Sequence, residues 1–282
     1  MKQLIFKIGS FLMKPFRTHK RYDLKADNNL LDVNDEITID LYEVKKSRPV
    51  VFIHPVLGGS NRVAQFFAGY YNLFHRWNAI IVHRSAYPFE SDDPETFNKK
   101  LIDIERAFDQ VYEKAKGYFK HDHFHFTGTS MGAIVGATLV PYIKFRSFVC
   151  LMGGGSITNV MLTSSMDRFN HWYERQVPKY GETKEQVERN YMKHIDRDPV
   201  INADEKYAHK LLIFSCIFDR VVHRRTQSRL NRAFRKNILQ PFVVWLPAGH
   251  YTIVLFIPFI MPIISIFLFY REIKSRYEDE FK

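Results

Sequence analysis

The chain has 282 residues, 46% hydrophobic and 25% charged, with 13 Gly and 12 Pro; this excludes disordered, collagen-like and repeat classes and fits one larger α/β domain. Its two cysteines, Cys150 and Cys216, exclude a disulfide framework and form no closely spaced metal pair, so a reducing compartment is expected. Lys and Arg number 41 against 30 Asp and Glu, a net +11, and the placement of that charge decides between a nucleic-acid and an anionic-membrane reading.

Six of those charges lie in residues 1–21, as Lys2, Lys7, Lys14, Arg17, Lys20 and Arg21 with no acid. Leu4, Ile5, Ile8, Phe11 and Leu12 share one helical face there. Residues 1–30 are therefore predicted to be a basic amphipathic arm at a membrane interface, with a helix packed on the domain as the alternative. Charges interrupt every apolar run, so no secretory signal is expected. The domain is predicted over residues 31–250. Residues 36–44 read as a polar antiparallel strand, and apolar runs at 50–53, 78–83, 124–127, 147–152, 211–217 and 242–246 read as the strands of a mostly parallel sheet with helices on both faces. A helix starts at Asp93-Pro94, with Asp93 as cap and Leu101, Ile104, Phe108 and Val111 on one face. Residues 156–209 are too long for a simple crossover and carry two helical patches, so they are predicted to be a helical cap insertion.

A second basic cluster, 219–236, carries seven cations and one acid. It has no alternating aromatics and no helix-turn-helix or zinc-finger pattern, so nucleic acid is not expected as a partner; a solvated helix face or attraction to anionic lipid fits. Residues 251–270 hold no charge and match the length of a bilayer-crossing helix. Pro258 and Pro262 leave a bent span, a re-entrant segment or a buried last helix open, with membrane embedding favoured. A polar tail, 271–282, follows.

The strand at 124–127 runs into Gly128-Thr129-Ser130-Met131-Gly132 and then a helix-compatible stretch. G-x-S-x-G between a strand and a helix permits a tight turn with a nucleophile at its apex, and the Met131 N–H faces the place where an oxyanion forms. Of the twelve histidines, His250 follows the last strand on a loop where an imidazole can reach the sheet edge. Asp219 ends the preceding strand and can orient it, with Asp196 and Asp198 as competing acids. His121, His123 and His125 alternate but lack a fourth partner or a standard spacing, so neither metal nor other cofactor is expected.

Together these residues resemble the α/β-hydrolase superfamily over about residues 50–250. The resemblance implies Ser130 as nucleophile, Asp219 as acid and His250 as base. It also implies that the loop His54-Pro55-Val56-Leu57-Gly58-Gly59 completes the oxyanion hole beside Met131. Pro55 has no N–H to give, so the donor is Val56 or Leu57. The expected activity is hydrolysis of an acyl ester through an acyl-enzyme. The alternatives are acyl transfer by the same triad, or a non-catalytic membrane scaffold. The apolar segment directly after His250 suggests a lipid-like ester at an anionic membrane. Both basic clusters suggest a domain on the cytoplasmic side, with a soluble cytoplasmic protein as the alternative.

Overall fold

The apolar runs of the sequence become the inner strands of one sheet. A computed structural model describes residues 20–23, 37–56, 61–84, 91–235 and 240–280. Within them β1 (Lys20–Asp23), β2 (Ile37–Tyr42), β3 (Val50–His54), β4 (Asn78–Arg84), β5 (Phe124–Thr129), β6 (Ser147–Leu151), β7 (Leu211–Cys216) and β8 (Phe242–Leu246) are ordered β1-β2-β4-β3-β5-β6-β7-β8. From β4 to β8 every pairing is parallel, while β1 and β2 are antiparallel additions at one edge. The polar 36–44 run is thus β2, antiparallel as expected.

β1 corrects one boundary. Lys20–Asp23 lies inside the 1–30 span predicted as a separate arm, yet it pairs with β2 from Lys20↔Leu41 to Asp23↔Thr38. Edge pairing is made by the backbone and needs no apolar pattern, so the composition of the arm did not show it. Residues 1–19 and 24–36 lie outside the described residues, and so does the arm's predicted amphipathic helix.

Helices cover both faces. On one face, α1 (Asn61–Tyr70), continued by a π turn at Tyr71–His75, and α8 (Ile257–Glu280) pack against Val51, Ile53, Ile81, Leu151 and Phe214. On the other, α2 (Pro94–Phe119), α3 (Met131–Leu139) and α7 (Arg224–Ala233) pack against Phe52, Phe124, Phe126 and Phe148. Phe52, fully buried, has Phe145 and Phe124 ring centroids at 5.1 and 5.5 Å. Each such ring hides about 150–250 Å² of side chain, so at about 25 cal/mol per Å² one ring contributes several kcal/mol to holding the sheet. α2 begins as expected: Asp93 Oδ2 accepts from Thr96 N at 2.7 Å and Pro94 takes the first turn.

Between β6 and β7 the chain forms α4 (Ile157–Thr163), α5 (Asp167–Tyr180) and α6 (Lys184–Met192). Trp172 of α5 packs on Tyr191 of α6, both fully buried or nearly so. Both helical patches read in the 156–209 insertion are therefore helices, with α4 in addition.

The apolar 251–270 segment and the polar tail are not separate pieces. A 3₁₀ turn, Thr252–Phe256, leads into α8, which runs unbroken past residue 270 to Glu280. Ile260, Met261, Ile264 and Leu268 face the sheet and are buried, and Arg271 and Glu272 are buried as well. Charge and hydropathy changed at residue 270, but the buried face did not.

Candidate active site

The parallel strands all end at one edge, and the loops leaving that edge are where an open α/β sheet places its functional groups. Ser130 stands between the end of β5 and the start of α3 with φ 56° and ψ −115°. A left-handed φ at a serine is a strained backbone state, held only because its surroundings dictate it. Ser130 N donates to Leu151 O on β6 at 2.7 Å, and Ser130 O accepts from Ala133 N at 2.9 Å and Ile134 N at 3.1 Å. The two glycines of the turn are there for space. A Cβ at Gly128 would collide with the Gly132 carbonyl, and a Cβ at Gly132 would collide with the His54 carbonyl at the end of β3. The turn is therefore wedged against β3, and no side chain fits in either contact.

Met131 is the first residue of α3 and is buried. Its N–H belongs to the donors that a helix N-terminus leaves without an intrahelical acceptor, in the positive field of the helix dipole. Val56 lies partly exposed in the loop after β3, while Leu57, the other amide named for the oxyanion hole, lies outside the described residues. His54 ends β3 and is buried. Its Nδ1 donates to Pro55 O at 2.8 Å, since a carbonyl only accepts, and its ring stacks on Phe108 with centroids 5.5 Å apart.

The structure joins two of the three residues proposed as a triad. His250 Nδ1 lies 2.9 Å from Asp219 Oδ2. A carboxylate only accepts, so Nδ1 carries the proton and Nε2 is the nitrogen free to act as base. The other oxygen, Asp219 Oδ1, accepts from Val221 N at 2.8 Å and Val222 N at 2.9 Å, and the carboxylate is buried. These three donors satisfy a charge that burial would otherwise penalise. Ser130 follows β5 at the same edge, three strands from β8, and no hydrogen bond joins it to His250 among the described residues. Free enzymes often show this contact long, closing only with substrate.

The competing acids take other roles. Asp198 Oδ2 accepts from Ile157 N at 2.5 Å and Oδ1 from Val200 N at 2.8 Å, which ties the base of α4 to the loop before β7. Burial pushes its carboxyl above the ordinary range. Asp196 accepts from Asn98 on α2 at 3.0 Å. Neither bonds a histidine among the described residues. The alternating histidines also separate: His121 Nε2 lies 3.0 Å from Arg48 O, whereas His123 and His125 turn to Glu272 of α8, at 2.6 and 3.3 Å. The last of these has a further partner, Ser147 Oγ, at 2.8 Å from His125 Nδ1. Ser147 and His125 have no exposed surface.

One supporting residue escaped the sequence. Gln227 of α7, fully buried, accepts from Cys216 N at 2.8 Å and donates to Val222 O at 2.7 Å and, at 3.5 Å, to Asp219 Oδ2. It braces the loop that carries the acid, and a lone glutamine in an arginine-rich stretch gave no signal of this. The loop carrying His250 is braced in turn by Thr252, whose Oγ1 accepts from Gly249 N at 2.8 Å.

Sheet order, crossover helices and the strained serine turn together settle the fold family. This chain has the α/β-hydrolase fold. Among solved structures it resembles an esterase of the archaeon Pyrobaculum calidifontis (13% identity, covering 97% of this chain and 90% of that one, TM-score 0.61). It also resembles a fungal esterase of Rhizomucor miehei (14%, 98% and 92%, TM-score 0.63) and a putative lipase of Acinetobacter baumannii (14%, 97% and 97%, TM-score 0.53). No protein-family model and no curated protein matches the chain. At such identities the likeness is one of fold, and the chemistry has to be argued from the site.

α7 also locates the second basic cluster. Arg229 pairs with Glu188 at 2.5 Å, while Arg224, Arg225, Arg232 and Arg235 are exposed. The helix sits on the sheet face opposite α8, so this second basic cluster and the apolar helix do not address one plane.

Proposed function

We propose that this protein is a serine hydrolase of carboxylic esters, associated with membranes and acting on a lipid-like substrate. The observation that carries the chemistry is the His250–Asp219 pair at the strand edge that also holds Ser130 in its strained turn. His250 Nε2 takes the proton of Ser130 Oγ as that oxygen attacks the acyl carbonyl. Asp219 holds the imidazole in the tautomer with Nδ1 protonated and stabilises the imidazolium that forms. The Met131 N–H and an amide from Val56 or Leu57 receive the oxyanion. His250 then protonates the leaving alcohol, and water repeats the sequence to release the acid. For the substrate class, the support is the surface beside the site: Phe218 and Tyr251, which flank Asp219 and His250 in sequence, are exposed. Exposed aromatic rings at a site mouth suit an apolar acyl chain better than a polar ester.

The test is covalent labelling by a fluorophosphonate probe together with hydrolysis of an ester chain-length series. Labelling is expected in the wild type and lost in Ser130→Ala, with rates rising toward longer acyl chains. A folded wild type that takes no label removes the reading and leaves the non-catalytic scaffold. Product analysis with and without an added alcohol distinguishes hydrolysis from acyl transfer.

A further inference from the structure

α8 has two faces of opposite meaning. Ile260, Ile264, Leu268 and Arg271 point into the domain, and at the far side of the helix Phe259, Ile266, Phe269, Tyr270 and Tyr277, together with Leu255 in the 3₁₀ turn before it, are each between 56% and 71% exposed. Their spacing of three, four and seven residues places them on one stripe. At about 200 Å² for a whole large side chain they expose on the order of 700 Å² of largely apolar surface, above the 300–600 Å² typical of the largest patch on a monomer.

The stretch Thr252–Ser275 is long and apolar enough to cross a bilayer, with mean hydropathy 2.6 in an 18-residue window. Its inner face says otherwise. Ser265 lies 2.7 Å from Tyr70 Oη and 2.9 Å from His75 Nε2. Glu272 bonds His123 and His125 beneath the sheet, and Arg271 donates to Arg146 O at 3.4 Å. A helix leaving the sheet to span would break all of these and carry Arg271 and Glu272 toward hydrocarbon, where ionised side chains are costly. It would also uncover the apolar face of the sheet.

We propose that α8 is an in-plane membrane-docking helix: it stays packed on the sheet and sinks only its outer stripe into an anionic bilayer surface, so that the protein is monotopic. The stripe starts at Leu255, five residues from His250, so docking sets the mouth of the site at the headgroup boundary and ester molecules reach it sideways from the leaflet. The lipid surface is favoured as occupant because the chain also carries six cations and no acid in residues 1–21, beside apolar residues spaced on one helical face. Docking on this face turns the α7 arginines away from the bilayer, so headgroup attraction falls to the arm. The inference draws on the ester-hydrolase reading only for what the surface delivers.

The experiment uses the full chain and vesicles of phosphatidylcholine with and without phosphatidylserine. Flotation is expected with both, stronger with phosphatidylserine, and weakened at least about tenfold by the double substitution Ile266→Glu, Phe269→Glu, which adds charge to exposed positions and leaves the core alone. The unfolding temperature checks the fold. Because Cys150 and Cys216 are buried, Leu255→Cys, Phe269→Cys and Tyr277→Cys each accept a polarity-sensitive fluorophore selectively. Spin-labelled lipids should quench all three from the same shallow depth. A gradient of depth along the helix overturns the in-plane placement in favour of a span. Absence of flotation, or flotation untouched by the double substitution, overturns the docking surface. A wild-type dimer that the substitution dissolves assigns the stripe to a second copy, and fluorophores already shielded without vesicles assign it to the chain's own arm; either result overturns the proposal. Fluorophosphonate labelling of the same samples reads the chemistry separately, so either claim can fail alone.

Discussion

Asp219→Asn removes one charge from the site while keeping its shape. Asp219 Oδ1 accepts two backbone N–H groups, from Val221 and Val222, at 2.8 and 2.9 Å. The asparagine carbonyl must occupy that position, since an amide NH₂ there would face two donors at hydrogen-bond distance. Its NH₂ then takes the place of Oδ2, 2.9 Å from His250 Nδ1. Two donors cannot share that contact, so the imidazole moves its proton to Nε2, the nitrogen that has to accept from Ser130. Loss of the correct tautomer costs about 10⁴ in kcat, about 5 kcal/mol of barrier. The folded state exchanges one charge-assisted hydrogen bond for a neutral one, about 1–2 kcal/mol. The assay is hydrolysis of a soluble chromogenic ester, with urea unfolding in parallel. A kcat loss below about tenfold in a variant of near-wild-type stability would refute the role given to Asp219 and to the proton on Nδ1.

Gly132→Ala puts a Cβ into the His54 carbonyl; separating the serine turn from β3 should cost about 1–3 kcal/mol in urea unfolding and, by displacing Ser130 and Met131, about a hundredfold in ester hydrolysis. Wild-type rates in that variant would show that the wedge does not position the nucleophile. Stability should fall as pH drops below about 6.5, the value of a free histidine. Burial lowers the pKa of His125, despite the Glu272 carboxylate beside it, and of His75. The folded state therefore stays neutral where the unfolded chain binds protons, and each pH unit in that window removes up to about 1.4 kcal/mol per histidine. Urea midpoints at about pH 7.5 and 5.5 check this; a midpoint unchanged or higher at the acid end would contradict it.

The parts of the fold that were legible are those where burial writes a pattern. Strands such as β3 and β5, hidden on both faces, are continuous apolar runs, and the α2 start is marked by Asp93 and Pro94. The serine turn was legible because its glycines answer a steric demand that only glycine meets. β1 was not, because an edge strand is held by backbone bonds that leave no mark on side-chain composition. Nor was the true extent of α8: Arg271 and Glu272 look like the start of a solvated tail, and only the partners waiting for them, His123, His125 and the Arg146 carbonyl, show why they are buried. The same holds at the site. Asp219 and His250 could be chosen by their position after strands, but the brace supplied by Gln227 depends on one helix meeting one loop.

The sealed Ser147–His125–Glu272 chain bears on how such proteins are searched for function. It has the order serine, imidazole, carboxylate, with each link within 3.3 Å, whereas the Ser130 to His250 link is still unmade. A template that scores distances alone would select this decoy at the base of the sheet, where Ser147 and His125 meet no solvent and no ester can arrive. What sets the proposed nucleophile apart from this decoy is the cost borne by its backbone: Ser147 sits in a strand, while Ser130 is held at a positive φ. Strain and access, ranked ahead of hydrogen-bond completeness, select Ser130 over Ser147 in this chain and offer an ordering for others whose sequences match no family.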